Sequence, residues 1–158
     1  MKITDLLRRC SIDLDGQAVS KEAILDRMVG LMEQAGNLSD AETYKACVKK
    51  REREGTTGIG DGIAIPHAKT PAVRKAGLAA MVIKEGADYD SLDALPVYLI
   101  FLIAAPDTKE NVHLDVLGRL SQLLREEQFT DRLIHAESEE EFLCFIDQAE
   151  KEQFCEFL

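Results

Sequence analysis

Residues 96–105, PVYLIFLIAA, run for ten positions without a charge, and only Tyr98 carries a polar atom on its side chain. A strand with one wet face alternates apolar and polar residues. A nearly continuous run instead reads as a central strand covered on both faces. The stretch is too short to cross a bilayer as a helix. Any fold for this chain must therefore supply packing layers above and below that strand.

The neighbouring segments supply them. GLAAMVIK (77–84) reads as a second strand. Residues 20–35 place Ile24, Leu25, Met28, Val29 and Met32 at helical spacing, with Ser20 as N-cap and Gly36 as stop. SDAE (39–42) predicts a capping box from Ser39 to Glu42, opening a helix through Tyr44, Cys47 and Val48 that ends near Gly55. Residues 110–126 carry Val112, Val116, Leu117, Leu120, Leu123 and Leu124 on one broad face, and Ser138 with Glu141 opens a last helix over 138–150. The expectation is an α/β (α+β) chain: one domain, a mixed sheet, helices on both faces. A length of 158 residues suits a single core.

Composition removes several functions. A formal charge of −10 with no basic stripe argues against binding to nucleic acid or an anionic membrane. The first ten residues lack the apolar run of a signal peptide, so a cytoplasmic address is expected. Cys10, Cys47, Cys144 and Cys155 form no C-x-x-C pair and read as free thiols, with Cys47 and Cys144 as small core residues. The three histidines share no metal-ligand spacing, and no metal is expected. Asp88, Asp90 and Asp93 fall in a turn-rich segment and read as solvated, as does His135.

TTGIGDGIAIPHAK (56–69) holds the chemistry. Its G-x-G-x-G follows a charged helix and leads to a proline, whereas a dinucleotide loop follows a strand and opens a helix. No G-K-[ST] is present, which excludes the Walker loop. Two readings stand: a simple helix-to-strand turn, or a backbone cradle for an anion beside Thr56, Thr57 and Gly58. His67 follows Pro66, which stiffens its approach; it is either a satisfied surface residue or a nucleophile for phosphoryl chemistry. Arg51 continues the apolar phase of its helix, so it either turns out at the helix end or meets an anion there. His113, in a first helical turn, is either a surface residue or a second imidazole in a site that favours anions.

Arg51-Glu52 through TGIGDGIAIPH to His67, followed by PVYLIFLIAAPDTKENVHLDVLGRLSQLL, resembles the fructose/mannitol-type (type 2) enzyme IIA domains of the bacterial phosphoenolpyruvate-dependent sugar phosphotransferase system, most closely the fructose branch. The resemblance extends from Ile3 to about Ile146. It implies a domain over 1–146, with 147–158 a helix end or linker. It also implies a phosphotransferase, a protein phosphohistidine–sugar phosphotransferase component, in which Nε2 of His67 accepts a phosphoryl group from phospho-HPr. The group passes to the cysteine of enzyme IIB, with membrane enzyme IIC downstream. Arg51 and His113 would steady the phosphoryl group beside the loop of Thr56, Thr57 and Gly58, with no cofactor. Exposed Ile59 or Ile63 would contribute to a transient docking surface. The regulatory members of the same family, whose phosphorylation state controls a partner, are the alternative. Thr56, Ala68 and Gly118 depart from the commoner serine, glycine and alanine or serine, each small for small.

Overall fold

In the computed structural model, which describes residues 2–154, the chain runs α1 (Ile3–Leu6), β1 (Leu7–Asp13), α2 (Lys21–Gln34), α3 (Ala41–Glu54), β2 (Gly58–Gly60), β3 (Ile63–Ala64), β4 (His67–Lys69), β5 (Gly77–Ala87), β6 (Val97–Ala105), α4 (Val112–Leu123), α5 (Glu127–Ile134) and α6 (Glu139–Phe154). The apolar run is β6, and it lies inside the sheet order β1-β5-β6-β3-β2. It pairs antiparallel with β5 on one side and parallel with β3 and then β4 on the other.

Apart from half-buried Tyr98, both faces of β6 are dry, as its composition requires. Ile100, Leu102 and Ala104 pack with Ile24, Met28, Tyr44 and Val48 of α2 and α3. Leu99, Phe101 and Ile103 pack with Val116, Leu120, Phe142 and Ile146 of α4 and α6. The mixed α/β sheet with helices on both faces is thus the architecture the sequence implied.

Ser20 accepts the Ala23 N–H as the α2 cap, and Ser138 accepts that of Glu141 at the start of α6. The α3 cap lies one residue later than expected. Asp40 takes the Thr43 N–H, because the Ser39 hydroxyl is drawn away to the Ala72 carbonyl. Cys47 is half-buried against the core, whereas Cys144 is exposed and not a core residue, since it falls outside the α6 stripe of Phe142 and Ile146. Cys155 lies outside the described residues. Helix α6 continues without a break past 146 to Phe154, and its fully buried Glu150 accepts the Ile3 N–H at both carboxylate oxygens, 2.9 Å each.

The glycine-rich stretch is a hairpin. Strands β2 and β3 pair antiparallel across Asp61 and Gly62, both with positive φ (57° and 79°), the conformation that makes Asp-Gly a tight two-residue turn. Asp93 fixes its tip by accepting the Asp61 N–H at 3.0 Å. Bonds from the Leu95 and Asp61 N–H groups hold the Asp93 carboxyl below the usual range, so this acid is structured rather than merely solvated.

Strands β3 and β4 form one line along β6, interrupted at Ile65–Pro66 where proline has no N–H to give. The Pro66 carbonyl keeps the register by accepting the Ile103 N–H at 3.0 Å. His67 then lies opposite Ile103, which faces α4. Two-residue alternation sends His67 and Lys69 to the α4 side and Ala68 into the α3 side.

Candidate active site

His67 is half-buried on β4, and its Nδ1 lies 2.9 Å from the Ile65 carbonyl oxygen. A carbonyl can only accept, so Nδ1 carries the proton and donates. The neutral ring therefore keeps its lone pair on Nε2. The segment on the N-terminal side of Pro66 thus sets which ring nitrogen keeps its lone pair.

Across from it, His113 occupies the first turn of α4. The two ring centroids are 6.2 Å apart, with the planes inclined by 30°. At that separation the rings do not stack, and a small group carried on one can reach the other. Burial holds the His113 pKa below its ordinary value, and proximity to His67 and Lys69 lowers it further against an opposing pull from Asp115. His113 is accordingly neutral at pH 7, and its Nδ1 is buried without a protein partner.

Lys69 was not singled out in the sequence, although it shares a strand face with His67. Its Nζ reaches Oδ1 of Asn111, the α4 N-cap residue, at 3.2 Å, tying the His67 strand to the His113 helix. Positive charge and a helix N-terminus therefore converge on the two imidazoles in a chain that is otherwise acidic.

Arg51 adopts the helix-end alternative in this state. Its Nη1 donates to the Gly55 carbonyl at 2.7 Å, at the C-terminus of α3, beside the loop rather than against the histidines. The loop donors are also engaged: the Thr57 N–H goes to Glu52 at 3.1 Å, and the Gly58 N–H to the Thr56 hydroxyl at 3.1 Å. Thr57 and Gly58 are buried, while Thr56 is half-exposed. A Cβ on residue 58 would come 2.9 Å from Ser91 Cα, so only glycine fits this close approach. Ile59 is 46% exposed on the hairpin and Leu114, next to His113, is 53% exposed. Ile63 is 3% exposed and cannot serve a docking surface, because its β3 position points into the core.

The chain is thus an α/β domain with helices on both faces of a mixed sheet and two histidines facing each other between β4 and the start of α4. Residues 5–149 match the family described as phosphoenolpyruvate-dependent sugar phosphotransferase system, EIIA 2, and the chain belongs to that family. It is 44% identical over 151 residues to the PTS system fructose-specific EIIABC component of Bacillus subtilis, covering 96% of this chain and 24% of that relative. It is 37% identical over 129 residues to the PTS system fructose-specific EIIA component of Haloferax volcanii, covering 82% and 84% of the two chains. Among solved structures, nitrogen regulatory protein IIA-Ntr from Neisseria meningitidis superposes with a TM-score of 0.84 at 30% identity, covering 91% of this chain and 98% of that one.

Proposed function

We propose that this domain is a phosphocarrier: Nε2 of His67 takes a phosphoryl group from the phosphohistidine of HPr and passes it to the cysteine of an enzyme IIB. A membrane enzyme IIC would lie downstream, and fructose is the sugar favoured by the two fructose-specific relatives. The observation that carries the reading is the Nδ1–H bond to the Ile65 carbonyl, which leaves Nε2 as the basic nitrogen of a ring aimed toward His113. The site belongs on the cytoplasmic side, where HPr operates; among the described residues no helix is long and apolar enough to cross a membrane.

In the transfer, the lone pair on Nε2 attacks phosphorus in line with the P–N bond of the donor. That bond breaks, and its electron pair leaves with the donor imidazole. His67 becomes positively charged as the new bond forms, and the Ile65 carbonyl stabilises the Nδ1 proton throughout. The phosphoryl oxygens gather negative charge beside His113, Lys69 and the first-turn N–H groups of α4. That charge opposes the local depression of the His113 pKa, so His113 takes a proton from solvent and donates a hydrogen bond to a phosphoryl oxygen. Arg51 reaches the same oxygens by exchanging its Gly55 contact, and Thr56, Thr57 and Gly58 shape the adjoining wall. The free energy arrives with the phosphohistidine donor, so the step asks for no cofactor.

The alternative is a regulatory role in which the phosphorylation state of His67 controls a partner, and nitrogen regulatory protein IIA-Ntr is similar at 30% identity. The 44% identity to a fructose-specific relative favours transport. His113→Ala is expected still to accept phosphate from phospho-HPr, more slowly, and to deliver it to enzyme IIB about 10²–10³-fold more slowly, each step having lost one charge-stabilising donor. Rapid-quench transfer assays check this, and unchanged kinetics would remove His113 from the mechanism.

A further inference from the structure

Glu52, on the last turn of α3, has a side chain that is only 6% exposed. Burying an ionised carboxylate costs several kcal/mol unless donors surround it. Here four groups do so. The Thr57 N–H lies 3.1 Å from Oε2, the Thr57 hydroxyl meets Oε1, the Tyr89 hydroxyl donates to Oε1 at 3.1 Å, and Lys21 Nζ pairs with Oε2 at 2.7 Å. Lys21 also lies 4.5 Å over the Tyr89 ring. Helix α2, helix α3, the glycine loop and the segment after β5 therefore converge on this one carboxylate.

From Glu52 a line of three hydrogen bonds leads to the phosphoacceptor. Glu52 accepts from Thr57 N–H at 3.1 Å, the Thr57 carbonyl accepts from Ile65 N–H at 3.0 Å, and the Ile65 carbonyl accepts from His67 Nδ1–H at 2.9 Å. Each link joins a different turn or strand, so displacing Thr57 displaces the carbonyl that selects the His67 tautomer. We propose that Glu52, held by Lys21 and Tyr89, is a positioning residue for phosphoryl transfer: it fixes Thr57 and, through Ile65, keeps the His67 proton on Nδ1 and the lone pair on Nε2. The proposal rests on His67 being the phosphoacceptor. A group that serves stability alone has no reason to govern the protonation pattern of a ring three hydrogen bonds away, and that difference is measurable.

Glu52→Gln keeps the side chain's size and removes its charge. Phosphorylation by phospho-HPr is expected to slow by about 10²-fold in kcat, as for a misplaced reacting group, with KM for phospho-HPr little changed. Long-range ¹H–¹⁵N spectra of the unphosphorylated variant are expected to show a larger share of His67 with its proton on Nε2. Thr57→Val, which removes the hydroxyl contacts to Glu52 and Tyr89 but keeps the backbone N–H, should move both readouts the same way by less, and it serves where Glu52→Gln fails to fold. Wild-type values for both readouts, or a slower rate with an unshifted His67 spectrum, would overturn the proposal. If the unaltered protein took no phosphate from phospho-HPr, the phosphocarrier reading would fail, while the ring spectra, which need no donor, would still decide whether Glu52 sets the tautomer.

Discussion

His67→Ala is expected to take up no phosphoryl group from phospho-HPr, a loss on the order of a thousandfold or more against the unaltered protein. Nothing else in the site offers the same nucleophile. His113 is half-buried with an unpartnered Nδ1, and it lacks the carbonyl contact that frees Nε2 of His67. The His67 ring is half-buried, and the β4–β6 pairing uses backbone groups, so removal of the ring should change stability by about 1 kcal/mol or less. Label transfer from radioactive phosphoenolpyruvate through enzyme I and HPr gives the first number, and thermal unfolding gives the second. Residual labelling near the wild-type level in a folded variant would place the phosphoacceptor elsewhere.

Phe101→Ala should be the most destabilising single truncation in the molecule's centre, costing about 3–5 kcal/mol. Phe101 is fully buried on β6, paired with Ala80 of β5, and its ring meets that of Phe142 at a centroid distance of 6.1 Å. Neighbouring strands hold the backbone on both sides, so the cavity cannot collapse easily. Against a total of about 5–15 kcal/mol the loss is large, and the melting temperature should fall by about 10 °C. The same strand carries Ile103, which receives the Tyr44 hydroxyl at its carbonyl (2.8 Å) and gives its N–H to Pro66 (3.0 Å). Loosening β6 is therefore expected to weaken phosphoryl acceptance near the melting point as well. A fall of less than about 3 °C by circular dichroism would mean that the two helical layers can close over the gap.

Where periodicity is strong, the sequence was readable. The uncharged run 96–105, which holds the nine residues of β6, announced a strand with two covered faces, and the stripes of α2 and α4 announced what covers them. Several short or irregular elements gave no such signal, among them β1, α5 and β4. β1, LRRCSID, is an edge strand whose burial does not alternate: Arg8, Arg9 and Cys10 are exposed in succession, and Ser11 and Ile12 are both buried. α5, EQFTDRLI, is too short to show a period, and β4 is three residues long. The Asp61-Gly62 turn was a legible hairpin signal, masked by the attention its flanking glycines draw to anion binding.

The site divides in the same way. His67, His113 and Arg51 stood out because histidine after proline, histidine at a helix start and arginine on an apolar phase are each locally unusual. The structure brings the two histidines together and leaves Arg51 on the helix end, bonded to the Gly55 carbonyl. Glu52 was hidden because its meaning comes from Lys21 and Tyr89, which lie far away in sequence and meet it only after the sheet has formed. Lys69 was hidden for a simpler reason: its partner, Asn111, is forty-two positions away.

The most direct measurement is the position of the phosphorus. Protein labelled with ¹⁵N-histidine, phosphorylated by phosphoenolpyruvate, enzyme I and HPr, should show one phosphoryl group coupled to Nε2 of His67, with Nδ1 still protonated against the Ile65 carbonyl. His113 should remain unphosphorylated and titrate at a higher pH than in the free protein. A phosphoryl group on Nδ1 of His67 or on His113 would contradict the account, because the Ile65 contact would then not choose the nucleophile.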